Sequence, residues 1–332
     1  MNRRAAVAAG ATVLIFLLVQ VGAVALVGPF VDAGYQTVED PSDPTNSLLY
    51  LGAILVATGV MLAAFKFGVD ALIRLLVVFS GGLLSYYVFS VLLPPVAVVG
   101  GASALAVVAS GLLVVALLVH PEWYVIDAAG VVMGIGGAAL FGISFGLLPA
   151  IVLLTVLAVY DAVSVYGTEH MLTLASGVMD LRVPVVLVVP LSLDYSFLEE
   201  SGSERVEGAT DGGDSSVEGR EDGPTGDDEP ASAPERDAFF IGLGDAVIPT
   251  VIVASAAFFL DTPSLGVPGL PALTLPALTA MVGTLCGLLV LVRMVMAGRA
   301  HAGLPLLNGG AIGGYLVGAL AAGVPLATAF GL

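Results

Sequence analysis

The sequence predicts an all-α membrane protein, a bundle of nine transmembrane helices with a cytoplasmic N-terminus and an external C-terminus. Three observations carry this prediction. Of the 332 residues, 58% are hydrophobic and only 11% are charged, whereas about a quarter of the residues of a soluble domain are charged. The mean hydropathy is +1.03. Apolar runs of about 20 residues recur along the chain, and a helix of that length crosses roughly 30 Å of hydrocarbon.

The nine runs follow one another in order along the chain. The first could instead be a signal peptide, because Arg3 and Arg4 precede an apolar core. Its length exceeds that of a usual signal-peptide core, so we expect a retained helix. The predicted spans are residues 5–28, 47–67, 71–93, 96–119, 123–142, 145–167, 238–260, 274–297 and 304–322.

Basic residues set the orientation of these spans. They concentrate in cytoplasmic loops and ends of membrane proteins. With the N-terminus inside, all ten basic residues lie on the cytoplasmic side, and a lost or extra span would scramble that agreement. The protein is therefore predicted to be a multi-pass protein of the cell membrane. The ten residues are Arg3, Arg4, Lys66, Arg74, Arg182, Arg205, Arg220, Arg236, Arg293 and Arg299.

The chain divides into three predicted regions. Residues 1–167 carry six helices, residues 168–237 form a cytoplasmic loop, and residues 238–332 carry three helices. Of the 27 acidic residues, 15 lie between Asp194 and Asp237. The acidic, Gly- and Ser-rich part, about 199–236, has too few apolar residues to offset the entropy of ordering, and we expect it to be disordered.

Two further features of composition are informative. The segment Val183–Pro190 is apolar and β-branched but too short to span. It is either a short interfacial or packed segment, or a strand that can pair with an extended peptide. Lys66 is the only lysine among many acidic residues, a bias that resembles proteins of salt-loving archaea, whose acidic surfaces stay soluble in high salt.

Glycines spaced four residues apart recur in the last two spans, at Gly283/Gly287 and Gly310/Gly314/Gly318. Small residues at this spacing let helix backbones approach closely in lipid. We therefore expect close helix packing at these positions.

Two aspartates stand inside apolar spans, Asp161 in the sixth and Asp245 in the seventh. A carboxylate within the hydrocarbon is costly and is by default functional. Asp161 lies about 9 Å from the predicted cytoplasmic end of its span, and Asp245 about 10 Å from that of the next. Since the two spans are antiparallel, both carboxylates are expected at one depth. Asp127, near the start of the fifth span, and Asp70, before the third, are expected to be interfacial and solvated.

Two close carboxylates in a low-dielectric site cannot both ionise, so they tend to share one proton. The ionised member can deprotonate a water that attacks a peptide carbonyl, while the protonated member donates to the carbonyl oxygen. The sequence leaves open which aspartate has which role. Gly242 and Gly244 have no side chain and let a substrate backbone or a neighbouring helix approach Asp245. Tyr160 either hydrogen-bonds near the pair or packs.

These motifs resemble one known family. Tyr160-Asp161 on the sixth span, Gly242-Leu243-Gly244-Asp245 on the seventh and the long loop between them look like the presenilin and signal peptide peptidase family of GxGD intramembrane aspartyl proteases, in particular its archaeal presenilin homologues. The resemblance implies an aspartic endopeptidase that cleaves transmembrane substrates in the bilayer, with no cofactor and no nucleic acid. Signal peptide peptidase itself is expected in the opposite orientation, so the basic residues favour the presenilin side. No obligate partner subunit is indicated, and an oligomer is possible.

The family's third mark is Pro-Ala-Leu at the start of the ninth span, where it shapes the active site and touches substrate. The positional match is Pro305-Leu306-Leu307, with Leu306 in place of the family alanine. This departure leaves the shape of the substrate cleft open. The two literal copies, Pro271–Leu273 and Pro276–Leu278, precede the eighth span, so we assign them no such role.

Other functions fit the sequence less well. A proton-coupled transporter or ion channel could use the same carboxylates as a proton relay, but no inverted repeat is visible and the acids lie near one face. A buried pair that only joins two helices gains about 0.6 kcal/mol, little against the cost of inserting two carboxylates. Prepilin-type peptidases have fewer spans. His120, His170 and His301 show no metal-ligand spacing, and no His-Glu-x-x-His occurs.

Overall fold

The structure is a computed structural model that describes residues 3–167, 186–190, 238–296 and 302–332. Within these ranges the chain forms ten helices and two pairs of short strands. In order they are α1 (Arg3–Asp32), α2 (Thr45–Lys66), α3 (Asp70–Leu92), β1 (Val98–Val99), β2 (Ala102–Ser103), α4 (Ala104–Val119), α5 (Trp123–Ser144), α6 (Leu147–Gly167), β3 (Val186–Pro190), β4 (Ala238–Gly242), α7 (Leu243–Phe259), α8 (Leu275–Met296), α9 (Leu304–Ala321) and α10 (Leu326–Ala329).

Seven helices in the described part of the chain are long and apolar enough to cross a membrane: α1, α2, α3, α5, α6, α8 and α9. The apolar helices α4 and α7 have 16 and 17 residues, about 24 to 26 Å at 1.5 Å per residue. The protein is therefore a mostly helical, multi-pass membrane protein. Whether α4 and α7 complete nine spans remains a prediction.

The fourth predicted span begins too early. Val98–Val99 pairs antiparallel with Ala102–Ser103, and the connecting Gly100 and Gly101 have φ values of 61° and 87°. Two successive positive φ values in a two-residue connection are the requirement of a type I′ hairpin turn, which glycine meets without strain. The helix itself begins only at Ala104.

The seventh predicted span is wrong in its first five residues. Ala238–Gly242 is not helical but forms β4, antiparallel to β3, with Val186 opposite Gly242 and Pro190 opposite Ala238. Both segments are rich in the aromatic and β-branched residues that favour strands. Val186–Pro190 is a strand, and its three middle residues are also buried, so each interpretation of the segment 183–190 holds in part. Pairing with an extended peptide stays a prediction. The acidic part of the loop, 199–236, lies outside the described residues.

The core sits where α6, α7, α8 and α9 meet, with α1 and α5 packed against α7. The tightest approach is between α8 and α9. A methyl group added at Gly283 would collide with the backbone of Gly310, and the reverse also holds. The close packing expected from these glycines is confirmed, and it draws the start of α9 toward the end of α8.

Candidate active site

Asp161 is held on α6, six residues before the helix ends at Gly167, and its side chain is only 8% exposed. Its carboxylate oxygen Oδ2 accepts the backbone N–H of Leu304 at 3.0 Å. The backbone N–H of Gly303 interacts with the same carboxylate. Asp161 is thereby joined to the start of α9, which is 143 residues away in the sequence.

The start of α9 needs such a partner. The first N–H groups of a helix have no acceptor within the helix, and its N-cap residue, Gly303, has no side chain to supply one. The carboxylate of Asp161 fills this role from a neighbouring helix. A negative charge at a helix N-terminus is also favoured by the helix dipole.

Asp245 lies in the first turn of α7, directly after β4. Gly242 is the N-cap of α7, in an extended conformation, and the position of its absent Cβ lies 3.4 Å from Asp245 Oδ2. The absent Cβ of Gly303 would lie 3.6 Å from the same oxygen. The N-terminal residues of α9 therefore lie beside both aspartates: Leu304 donates a hydrogen bond to Asp161, and the missing side chain of Gly303 leaves space next to Asp245.

A helix breaker follows Asp245 by one turn. Pro249 lies inside α7 and is buried. Proline has no N–H, so the carbonyl of Asp245 loses its usual helical partner four residues on. The backbone carbonyl of Asp245 therefore lacks its helical hydrogen bond next to the carboxylate of the same residue.

Both aspartates line one cavity of about 230 Å³. They are close enough to interact electrostatically. The structure thus brings the two aspartates together in one cavity, whereas their equal depth in the membrane stays a prediction. The rest of the wall is mostly apolar and comes from α1, α6, β4, α8 and the start of α9: Ala9, Thr12, Phe16, Val165, Phe240, Ile241, Leu288, Leu291, Val292, Val295, Gly303 and Leu307.

The remaining residues singled out in the sequence divide between the cavity and its surroundings. Leu307 lines the cavity and is fully buried, whereas Pro305 and Leu306 belong to the first turn of α9 without lining it. Tyr160 does not line the cavity, and its side chain is 46% exposed. Leu243 is buried against other apolar side chains.

Gly244 differs from its neighbour Gly242. It is exposed, and a Cβ added there would meet no atom within 4 Å in the described part of the chain. Packing inside this chain therefore gives no reason for a glycine at this position. The two literal Pro-Ala-Leu copies lie in the α7–α8 connection and at the start of α8, away from the cavity wall.

Comparison with known proteins decides the family. The profile described as "Signal-peptide peptidase, presenilin aspartyl protease" matches residues 13–324. The chain belongs to the signal-peptide peptidase and presenilin family. Two solved structures of a presenilin family intramembrane aspartate protease, in space groups C222 and P2, are similar to this chain. The first is 31% identical to this chain with a TM-score of 0.62, and the match covers 95% of this chain and 99% of the solved chain. The second is 32% identical with a TM-score of 0.59, and the match covers 93% of this chain and 96% of the solved chain. No curated protein matches.

This presenilin-family protein is an intramembrane aspartyl protease in a multi-pass membrane fold. The transporter and channel alternative gains no support from these comparisons. In the described ranges, no group of three or more His, Cys, Asp and Glu side chains could hold a metal ion.

Several contacts of the site were not predicted from the sequence. The hydroxyl oxygen of Tyr166 accepts the N–H of Ala302 at 3.4 Å, beside the link from Asp161 to α9. Asp127, expected to be solvated, instead accepts the backbone N–H of Val188 at 2.7 Å. The partners in each contact are far apart in the sequence, so no local sequence pattern predicts them.

Proposed function

We propose that this protease cleaves transmembrane protein substrates in the bilayer with Asp161 and Asp245 as its catalytic pair. The observation that carries the proposal is the shared cavity, in which the two carboxylates interact and the start of α9 lies beside both. Two embedded carboxylates able to share one proton are the minimum that aspartyl hydrolysis requires.

The hydrogen bonds suggest a division of roles. Asp161 accepts backbone N–H groups at a helix N-terminus, and such donors stabilise the ionised carboxylate. No hydrogen bond reaches the Asp245 carboxylate from the described residues. In the resting enzyme Asp161 holds the charge and Asp245 the shared proton.

Hydrolysis then proceeds in two steps. Asp161 removes a proton from water, whose oxygen bonds to the peptide carbonyl carbon, while Asp245 gives its proton to the carbonyl oxygen. This leaves a tetrahedral diol between a protonated Asp161 and an ionised Asp245. The C–N bond breaks as Asp161 protonates the leaving nitrogen, and Asp245 takes the diol proton back.

Substrate enters this site as an extended segment. In a helix each peptide carbonyl is hydrogen-bonded within the helix and surrounded by side chains, so the substrate has to unwind to expose a carbonyl to the aspartates. An unwound segment fits along β4, whose Phe240 and Ile241 line the cavity. The open space at Gly244 lets its backbone approach Asp245.

The proposed topology has nine spans with the N-terminus in the cytoplasm, the C-terminus outside and cleavage near the cytoplasmic side. In support, Lys66 ends α2 and Arg293 lies in the last turn of α8, at the end of the bundle where α6 ends and α7 begins. The acidic composition further suggests a salt-loving archaeal source.

Replacement of each aspartate by asparagine tests the proposal. Asp161→Asn keeps an acceptor for Leu304 N–H but cannot act as base, and Asp245→Asn cannot supply the proton. Each is expected to lower cleavage of a transmembrane peptide in detergent by 10³-fold or more, since removal of an essential catalytic group costs at least this much. Asp261→Asn, at an exposed carboxylate after α7, is the control. Undiminished cleavage by either active-site variant would refute the assignment.

A further inference from the structure

Asp127 lies in the second turn of α5, where its carboxylate is half-buried at the side of β3. Its Oδ1 accepts the backbone N–H of Val188 at 2.7 Å. This is a short, charge-assisted hydrogen bond from a strand to a helix 61 residues earlier in the chain. A carboxylate at the start of a membrane span is costly, so we expect Asp127 to have a function that offsets this cost.

The strand register shows what the bond does. Val188 lies opposite Phe240, and its neighbours Leu187 and Val189 lie opposite Ile241 and Phe239. In an antiparallel pair, the N–H groups of alternate residues point toward the partner strand and away from it. Because the Val188 N–H goes to Asp127, the N–H groups of Leu187 and Val189 are the ones that face β4. Asp127 therefore caps the edge of β3 that β4 leaves open.

The capped strand is enclosed. Leu187, Val188 and Val189 are at most 2% exposed, and β3 packs against α5 and α1. A peptide cannot add to β3 itself at Val188, because the Asp127 carboxylate holds that position. The strand that borders the cavity is β4, with Phe240 and Ile241 in the wall.

A short covalent and packing path joins Asp127 to the catalytic end of α7. β3 pairs with β4 along its whole length, and β4 runs directly into Gly242 and α7. Leu187 of β3 also packs in one buried cluster with Leu243, two residues before Asp245. A shift of β3 away from α5 would thus be felt both by the cavity wall and by the first turn of α7.

We propose that Asp127 is a positioning residue for substrate: its hydrogen bond to Val188 fixes the β3–β4 pair against α5 and so holds the β4 wall along which the extended substrate lies. The inference rests on the proposed function, in which Asp161 and Asp245 cleave a substrate that lies along β4. It assigns Asp127 no contact with the reacting atoms. Its effect is on how well the substrate segment is held.

The test compares two variants of Asp127, one whose side chain can still accept the Val188 N–H and one whose side chain cannot. Asp127→Asn keeps an oxygen that can accept the Val188 N–H, whereas Asp127→Leu keeps the bulk and loses the acceptor. We expect Asp127→Leu to raise KM for a transmembrane peptide about tenfold with kcat within about threefold, and Asp127→Asn to keep KM within about threefold of the unchanged enzyme. Asp261→Leu, at an exposed carboxylate, is the matched control, and thermal unfolding of each variant is recorded beside the kinetics.

A second change removes the donor instead of the acceptor. Val188→Pro deletes an N–H that does not enter the β3–β4 ladder, and it replaces the buried valine side chain by a ring of similar size. Strands tolerate proline where its missing N–H lies on the edge side. We expect it to raise KM like Asp127→Leu, and the double variant to be no worse than either, since both changes remove one bond.

Three results would overturn the inference: an unchanged KM in Asp127→Leu, a KM in Asp127→Asn raised as far as in Asp127→Leu, or effects of Asp127→Leu and Val188→Pro that multiply. Failure of the underlying proposal is visible separately, because it would appear as cleavage by Asp245→Asn.

Discussion

Substitution of Gly287 by alanine probes how closely α8 must approach the start of α9. Gly287 is buried on α8. A Cβ there would collide with the carbonyl oxygen of Leu306, and it would lie 3.0 Å from the carbonyl carbon of Leu306 and 3.4 Å from the Cα of Leu307. The atoms it meets belong to the backbone, so no side-chain rotation relieves the collision.

The expected displacement follows from these distances. Carbon atoms pack best at about 3.5 to 4.0 Å, so the start of α9 must retreat by roughly 1 Å. Leu304 lies two residues before the contact, and a shift of this size misaligns its N–H with Asp161 Oδ2, from which its nitrogen is 3.0 Å away, so the hydrogen bond weakens or breaks. A misplacement of about 1 Å at a catalytic site costs roughly 10²-fold in rate. Overpacking lowers the stability by about 1 to 3 kcal/mol. The higher helix propensity of alanine offsets about 1 kcal/mol of this loss.

Two glycines of α9 serve as controls. Gly309 is exposed, and a Cβ there would meet nothing within 4 Å in the described part of the chain. Gly309→Ala should leave cleavage unchanged and raise stability by about 0.5 to 1 kcal/mol. Gly314→Ala collides with the Thr279 carbonyl, farther from the cavity. It should lower stability as Gly287→Ala does, with a smaller loss of activity.

The assay is cleavage of a transmembrane peptide by purified variants in one detergent, with thermal unfolding measured on the same samples. The reasoning fails if Gly287→Ala cleaves within about threefold of the unchanged enzyme. It also fails if Gly287→Ala and Gly314→Ala lose activity in the same proportion to their loss of stability, since the activity would then follow stability alone.

Two further predictions concern buried polar side chains of α9. Asn308→Leu removes the hydrogen bond from Asn308 Nδ2 to the Leu154 carbonyl at 2.8 Å, which joins α9 to α6. It should lower stability by about 1 kcal/mol, and it should reduce cleavage less than Gly287→Ala does. An unchanged thermal midpoint would contradict this prediction. Tyr315→Phe removes the hydrogen bond from the fully buried Tyr315 hydroxyl to the Ala329 carbonyl at 2.6 Å; it should cost about 1 kcal/mol by thermal unfolding and leave cleavage within about twofold, because both residues lie away from the cavity.

The order of the helices could be predicted because hydropathy is a local property of the chain. The bounds of α5, α6, α8 and α9 differ from the prediction by only a few residues. The prediction failed where an apolar sequence is not helical. At Gly100 and Gly101 a local signal existed, since a Gly-Gly pair is typical of a two-residue hairpin, but apolar composition outweighed it.

Strand β4, which leads directly into the helix of Asp245, is a different case. Ala238–Gly242 is as apolar as the helix that follows it, and it becomes a strand because Val186–Pro190 pairs with it. That partner ends about 50 residues before β4 begins, so no window of sequence around β4 contains the cause. The same holds for the bond between Asp127 and Val188, which spans 61 residues.

The aspartates were found because a carboxylate in an apolar helix is costly wherever it occurs, a fact readable one residue at a time. Their environment is made by Gly303 and Leu304, which sit between them and belong to a helix that begins about 60 residues after Asp245. The structure also places Leu306 away from the cavity. Its backbone carbonyl faces Gly287 of α8, and its side chain does not line the cavity. The wall beside the carboxylates is formed instead by Gly303 and Leu307.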